Sequence, residues 1–243
     1  MVRRFIGISI TASKDRTATL FQSHCDFDNA VWTTRWSCGG TIIGKFWVLT
    51  SLNCVASVSN FDAVSMIAEE FQKRDLRWEK RYVSHIFRNE PVALLKSRKQ
   101  FHHSHIIHFC DRGRPEGTIV STCGMGRISN YYTPIAHTYA KNLQETHYNL
   151  RSRVGPNLRV GPRPLSLPAV FLQGSSICMG DQGGPLYTWN FGRMAPDCLY
   201  GVAMGWRGQR EIGMDCTQPN YFESVFDVRH WIEQTVTMNA YIA

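Results

Sequence analysis

Through most of the chain, aromatic residues and Val, Ile and Leu interleave with polar positions in short runs that Gly, Pro, Asn and Asp interrupt. That punctuation predicts many short strands joined by turns. The pattern changes near the end. Over residues 225–236, apolar side chains fall at 225, 228, 232 and 236 with Trp231 beside them, the spacing of one amphipathic helix. Its stripe is the ordinary core-facing kind, so the helix is expected to pack on the strands; a docking surface is the alternative. No internal repeat or long low-complexity segment interrupts the chain. Its 243 residues suit a single all-β unit with an ample core, and no segment is long and apolar enough to span a membrane.

Three blocks carry more specific information. The first reads Cys38-Gly39-Gly40-Thr41-Ile42-Ile43 and continues through Trp47-Val48-Leu49-Thr50-Ser51-Leu52-Asn53-Cys54. The second is Asn89-Glu90-Pro91-Val92-Ala93-Leu94-Leu95-Lys96, and the third Gly180-Asp181-Gln182-Gly183-Gly184-Pro185-Leu186. In this order they resemble the C-G-G-[ST]-[LI]-I, W-[VI]-L-T-A-A-H-C, N-D-I-A-L-L-K and G-D-x-G-G-P blocks of trypsin-like serine proteases. The resemblance covers nearly the whole chain, although residues 55–85 and 127–175 match poorly. It implies two packed six-stranded antiparallel β-barrels with a C-terminal α-helix. Within one domain over 1–243, the first barrel falls at about 5–112, the second at 113–224 and the helix at 225–238.

The same superposition puts Asn53 at the catalytic histidine, Pro91 at the aspartate and Gln182 at the serine. Asn does not titrate, so it cannot take a proton and return it to a leaving amine. Pro91 cannot orient an imidazole. The neutral amide of Gln182 forms no acyl intermediate. Glu90 is adjacent, but neighbouring residues of a strand face opposite ways. The resemblance therefore implies an inactive homologue, acting by protein binding as a decoy, adaptor or regulator of proteolysis. Two alternatives stand beside it: an active endopeptidase with non-standard catalytic residues, and a polyanion-binding module.

Counting from Gln182 puts Ser176 at the family's pocket floor, with Trp206 on the wall and Arg207 and Asn220 where active members carry glycine. The Arg207 and Asn220 side chains are expected to fill the pocket. Gly180 and the backbone near Gln182 could form a nest of amides, but without a nucleophile an oxyanion hole has nothing to stabilise. Arg4-Phe5-Ile6-Gly7 loosely resembles the R-I-V-G activation junction, whose freed amine would pair with Asp181, a buried carboxylate needing a partner. Phe5 is bulky for that slot.

Eight cysteines suit this framework. The resemblance pairs Cys38 with Cys54 and Cys178 with Cys216. Among Cys25, Cys110, Cys123 and Cys198 sequence permits three pairings, and family positions favour Cys25 with Cys110 and Cys123 with Cys198. Such bridges imply an oxidising compartment and an extracellular protein. Residues 1–10 hold a short basic and apolar run without a convincing secretory core, so the expectation is a signal outside this chain or unconventional export.

A net charge of +8 and a pI near 9.2 favour anionic contacts such as sulfated polysaccharide, acidic protein or headgroups. The densest run, residues 151–164, reads as a loop in which Arg151, Arg153, Arg159 and Arg163 could grip a polyanion or simply be solvated. His102, His103, His105 and His108 lack the companion ligands of a metal site, and no metal or cofactor is expected. Proteases, inhibitors or their substrates are the expected partners, not nucleic acid.

Overall fold

The computed structural model describes residues 8–12, 37–56, 58, 64–72, 75–101, 107–111, 116–124, 144–154, 157–162, 180–190, 195–204 and 220–240. The first half forms β1 (Ile8–Ala12), β2 (Ser37–Cys38), β3 (Thr41–Gly44), β4 (Trp47–Ser51), β5 (Val64–Gln72), β6 (Asp75–Asn89) and β7 (Val92–Ser97). They make one antiparallel sheet in the order β2-β1-β5-β6-β7-β4-β3. Its two edge strands, β2 and β3, are separated only by Gly39 and Gly40. The sheet must therefore curl until its edges lie within about 11 Å, three Cα steps.

Six strands were expected here and seven are found. The extra one arises because the chain leaves the ladder at Gly39, where a β-carbon would lie 2.8 Å from the Gly184 Cα. Contact with the other half of the protein thus splits one strand into β2 and β3.

The second half forms β8 (Ile119–Gly124), β9 (Gln144–Val154), β10 (Asn157–Pro162), β11 (Pro185–Asn190), β12 (Ala195–Ala203) and β13 (Asn220–Ser224). They close into an antiparallel six-stranded barrel in the order β10-β13-β12-β11-β8-β9. The basic run is thus not a loop: Arg151 and Arg153 lie in β9 and Arg159 in β10, where Arg159 pairs with Ser152. Gly155 and Pro156, which read as loop punctuation, are the only residues between the two strands. Arg163 lies outside the described residues.

Strand periodicity divides the cores. In β4, Val48 joins the first core with Met66, Val83 and Leu95, while Trp47 and Leu49 face the other way. In β7, Leu95 points into that core and Leu94 out of it. Both faces of β4 and β7 are consequently buried, and each strand opens on an unbroken apolar run, Trp47–Leu49 and Val92–Leu95, before polar residues that are also buried. Trp47, Leu49 and Leu94 meet Leu199 and Val202 of β12, forming the seam between the two halves. Val120, Tyr148, Leu186 and Phe222 fill the second barrel.

Helix α1 (Val225–Met238) seals the seam with Val225, Val228 and Ile232, the stripe read from the sequence. Each such aliphatic side chain contributes about 1.5–3 kcal/mol on burial. Ser224 caps the helix, its Oγ accepting from the Phe226 amide. Arg229 bonds to Glu233 and Asp111, and these bonds hold its guanidinium above its ordinary pKa.

Cys38 and Cys54 are bonded as expected, with Cα atoms 5.9 Å apart. The second bridge overturns the expected pairing: Cys110 joins Cys198, so neither Cys25–Cys110 nor Cys123–Cys198 forms. The cause lies in the backbone. Leu199 donates to the His108 carbonyl at 2.7 Å and Cys110 donates to the Leu199 carbonyl at 2.9 Å, laying this segment beside β12. Cys25, Cys178 and Cys216 lie outside the described residues.

Candidate functional site

Strand β4 runs into a single 3-10 turn, Leu52–Cys54, which leaves Asn53 exposed at its centre. On one side, the Leu52 amide donates to the Pro91 carbonyl at 2.9 Å. Pro91 follows a cis peptide from Glu90 in the turn joining β6 to β7. On the other side, the disulfide-bonded Cys54 Sγ lies 3.5 Å from the Gln182 carbonyl oxygen. The two residues flanking Asn53 thus touch the other two positions singled out in the sequence.

Gln182 is held by a built loop. Gly180 and Gly183 have φ of 99° and 82°, left-handed backbone that glycine adopts without strain. The Gly184 amide donates to the Asp181 carbonyl at 3.0 Å, and the Gly183 amide to Ala203 at 2.7 Å. These donors belong to the fold. A β-carbon on Gly183 would run into Thr50 Oγ1 and the Gly39 carbonyl, so this loop presses against the first sheet.

Asp181 is buried, and its carboxyl lies against Gly124 at the end of β8, where a β-carbon would overlap it. Asn220 opens β13, next to Val160 of β10. Ser176, Trp206 and Arg207 lie outside the described residues, as do Arg4 to Gly7 and His102, His103 and His105. His108 is exposed. Among the described residues, no three His, Cys, Asp or Glu side chains gather as metal ligands.

The available chemistry at Asn53, Pro91 and Gln182 is narrow. Two amides can donate and accept hydrogen bonds but do not exchange protons near neutral pH, and proline offers only its carbonyl. A serine and histidine do meet elsewhere: Ser121 Oγ hydrogen-bonds His147 Nδ1 across β8 and β9. Sequence reading missed this pair because only strand register brings together residues 26 positions apart. Ser121 is 0% exposed, which denies a substrate carbonyl the approach that nucleophilic attack needs.

The comparisons with known proteins agree with this architecture. The family profile described as Trypsin matches residues 16–232. Snake venom serine protease ussurase of Gloydius ussuriensis is 25% identical over 224 residues, covering 86% of this chain and 90% of its own. Thrombin-like enzyme agkihpin-2 of Gloydius halys is 28% identical over 230 residues, with coverage of 86% and 90%. Beta-fibrinogenase brevinase of Gloydius blomhoffii is 24% identical over 224 residues, again covering 86% and 90%. With the profile spanning both halves and the seam between them, the chain belongs to the trypsin family.

Proposed function

We propose that this trypsin-family chain is non-catalytic and works extracellularly by binding protein, as a decoy, adaptor or regulator of proteolysis. The observation that carries the reading is the set of contacts around Asn53: its neighbours Leu52 and Cys54 meet Pro91 and Gln182, so the three residues share one site. Acyl transfer there needs a nucleophile, a proton acceptor and a group that orients the acceptor. Asn53, Gln182 and Pro91 supply none of these. What persists is the scaffold, since the glycine loop and the disulfide beside it are held by the same contacts that position Gln182.

In this reading Ser176, Arg207 and Asn220 stand at sequence positions where active members of the family shape a substrate pocket, and Asp181 serves the stability of the loop. Proteases, their inhibitors or their substrates are the partners that such a surface suits. The test is covalent labelling of disulfide-intact protein with a fluorophosphonate probe. The non-catalytic reading expects no label above a heat-denatured control; stoichiometric label would contradict it.

A polyanion role for Arg151, Arg153 and Arg159 is a second reading, which rests on the net charge of +8 and on the density of this basic run in the sequence. Retention on heparin that drops when the three arginines are replaced together would support it, and retention indifferent to them would remove it.

A further inference from the structure

Arg88 lies near the end of β6, two residues beyond the core residue Ile86 and so on the same face of the strand. Its head leaves the core and reaches the segment that follows Asn53. Nη2 donates to the Val58 carbonyl at 2.8 Å and more loosely to the Val55 carbonyl at 3.4 Å. The same end of the β6–β7 hairpin holds the start of that segment, where the Leu52 amide donates to the Pro91 carbonyl at 2.9 Å. Residues 88 and 91 therefore fix the chain on both sides of the exposed Asn53.

This clamp uses only part of the arginine. A guanidinium carries five N–H donors on three nitrogens, and both bonds to the segment leave from Nη2. Arg88 is exposed, and among the described residues no carboxylate pairs with it. Nε and Nη1 are thus left to donate, on a cation that backbone carbonyls already hold in place. An arginine fixed in this way loses little freedom when it takes up an acid. Glu90 is the nearby acid in the sequence; it is exposed and makes no bond to Arg88, so it weakens the local field without neutralising the guanidinium.

We infer that Arg88 is a recognition residue for an Asp or Glu side chain on a polypeptide segment of the partner that lies across the Asn53 turn. A polyanion calls for a row of cations, whereas one placed guanidinium suits one carboxylate. The amide of Asn53 can bond the backbone of the same segment. The inference rests on the proposed function only in taking a polypeptide to bind at this site, and it is indifferent to whether that polypeptide is cleaved.

The test is an NMR titration of the isotope-labelled, disulfide-intact chain with the blocked tripeptides Ala-Glu-Ala, Ala-Gln-Ala and Ala-Lys-Ala. The Glu peptide is expected to shift the Arg88 Nε resonance and the amides of residues 52–56, with affinity about fivefold above that of the Gln peptide. Arg88→Gln should erase this preference. Because that change also loosens the clamp, Arg88→Glu is the sharper variant: it should transfer the preference to the Lys peptide, which a purely structural role would not do. Glu90→Gln should strengthen binding of the Glu peptide and leave the clamp intact. Circular dichroism checks that each variant is folded; if Arg88→Glu is not, Arg88→Gln decides. Equal binding of the Glu and Gln peptides, no shift at residues 52–56, or a Glu preference that survives replacement of Arg88 would each overturn the inference. Fluorophosphonate labelling of the natural chain would remove the non-catalytic reading and leave this one standing.

Discussion

The Gly39 amide donates a 2.6 Å hydrogen bond to the Gln182 carbonyl oxygen, tying the link between β2 and β3 to the loop that precedes β11. Thr50 Oγ1 donates to the Gly39 carbonyl at 2.9 Å and steadies that link within the first half, while the Gly39–Gln182 bond itself locks the two halves at the candidate site. A side chain at Gly183 would break this lock. Its φ of 82° strains any non-glycine residue by about 1–3 kcal/mol, and its β-carbon would collide with Thr50 and Gly39. Gly183→Ala is expected to lower Tm by roughly 5 °C or more in calorimetry. A Tm within about 1 °C of the natural protein would mean that the loop does not pack on the first sheet.

Lys96 fastens the far end of helix α1. Although 5% exposed, it sends its ammonium to the Asn239 carbonyl at 2.9 Å, across 143 residues, and lies over the Trp47 ring. Lys96→Met keeps the apolar stem and removes the charged donor, at an expected cost of about 1.5–3 kcal/mol. Faster amide exchange over residues 235–240, with the strands unaffected, is the expected signature. Unchanged exchange there would show that the helix end does not depend on this bond.

Disulfide mapping examines the corrected framework. Peptides containing Cys110 and Cys198 should be recovered covalently joined, and a Cys123–Cys198 link would contradict the backbone pairing around Leu199. The bridge closes a separation of 88 residues, so Cys110→Ser should cost about 4–5 kcal/mol on the chain-entropy account. Equilibrium unfolding in denaturant measures that loss.

Some of this architecture was legible in the sequence for clear reasons. The helix announced itself because Val225, Val228 and Ile232 keep a helical stripe against a single seam. The Cys38–Cys54 bridge and the neighbourhood of Asn53, Pro91 and Gln182 came from short blocks in a fixed order. Other features depend on partners distant in the chain. The Arg151–Arg159 stretch looked like a loop because charge and Gly155-Pro156 masked two strands of the barrel. The Cys110–Cys198 bridge depends on where residues 108–110 lie against β12, which no local pattern encodes. Likewise, the split of one strand into β2 and β3 records contact with Gly184, and the Ser121–His147 bond records strand register.

Peptidase activity against a broad peptide library, measured on the disulfide-intact natural chain and on a variant combining Asn53→His, Pro91→Asp and Gln182→Ser, reaches the proposed function most directly. The natural chain should be silent. Cleavage by the restored variant alone would show that the scaffold still positions a triad and that three side chains account for the loss. Reproducible, fluorophosphonate-sensitive cleavage by the natural chain would contradict the non-catalytic reading outright.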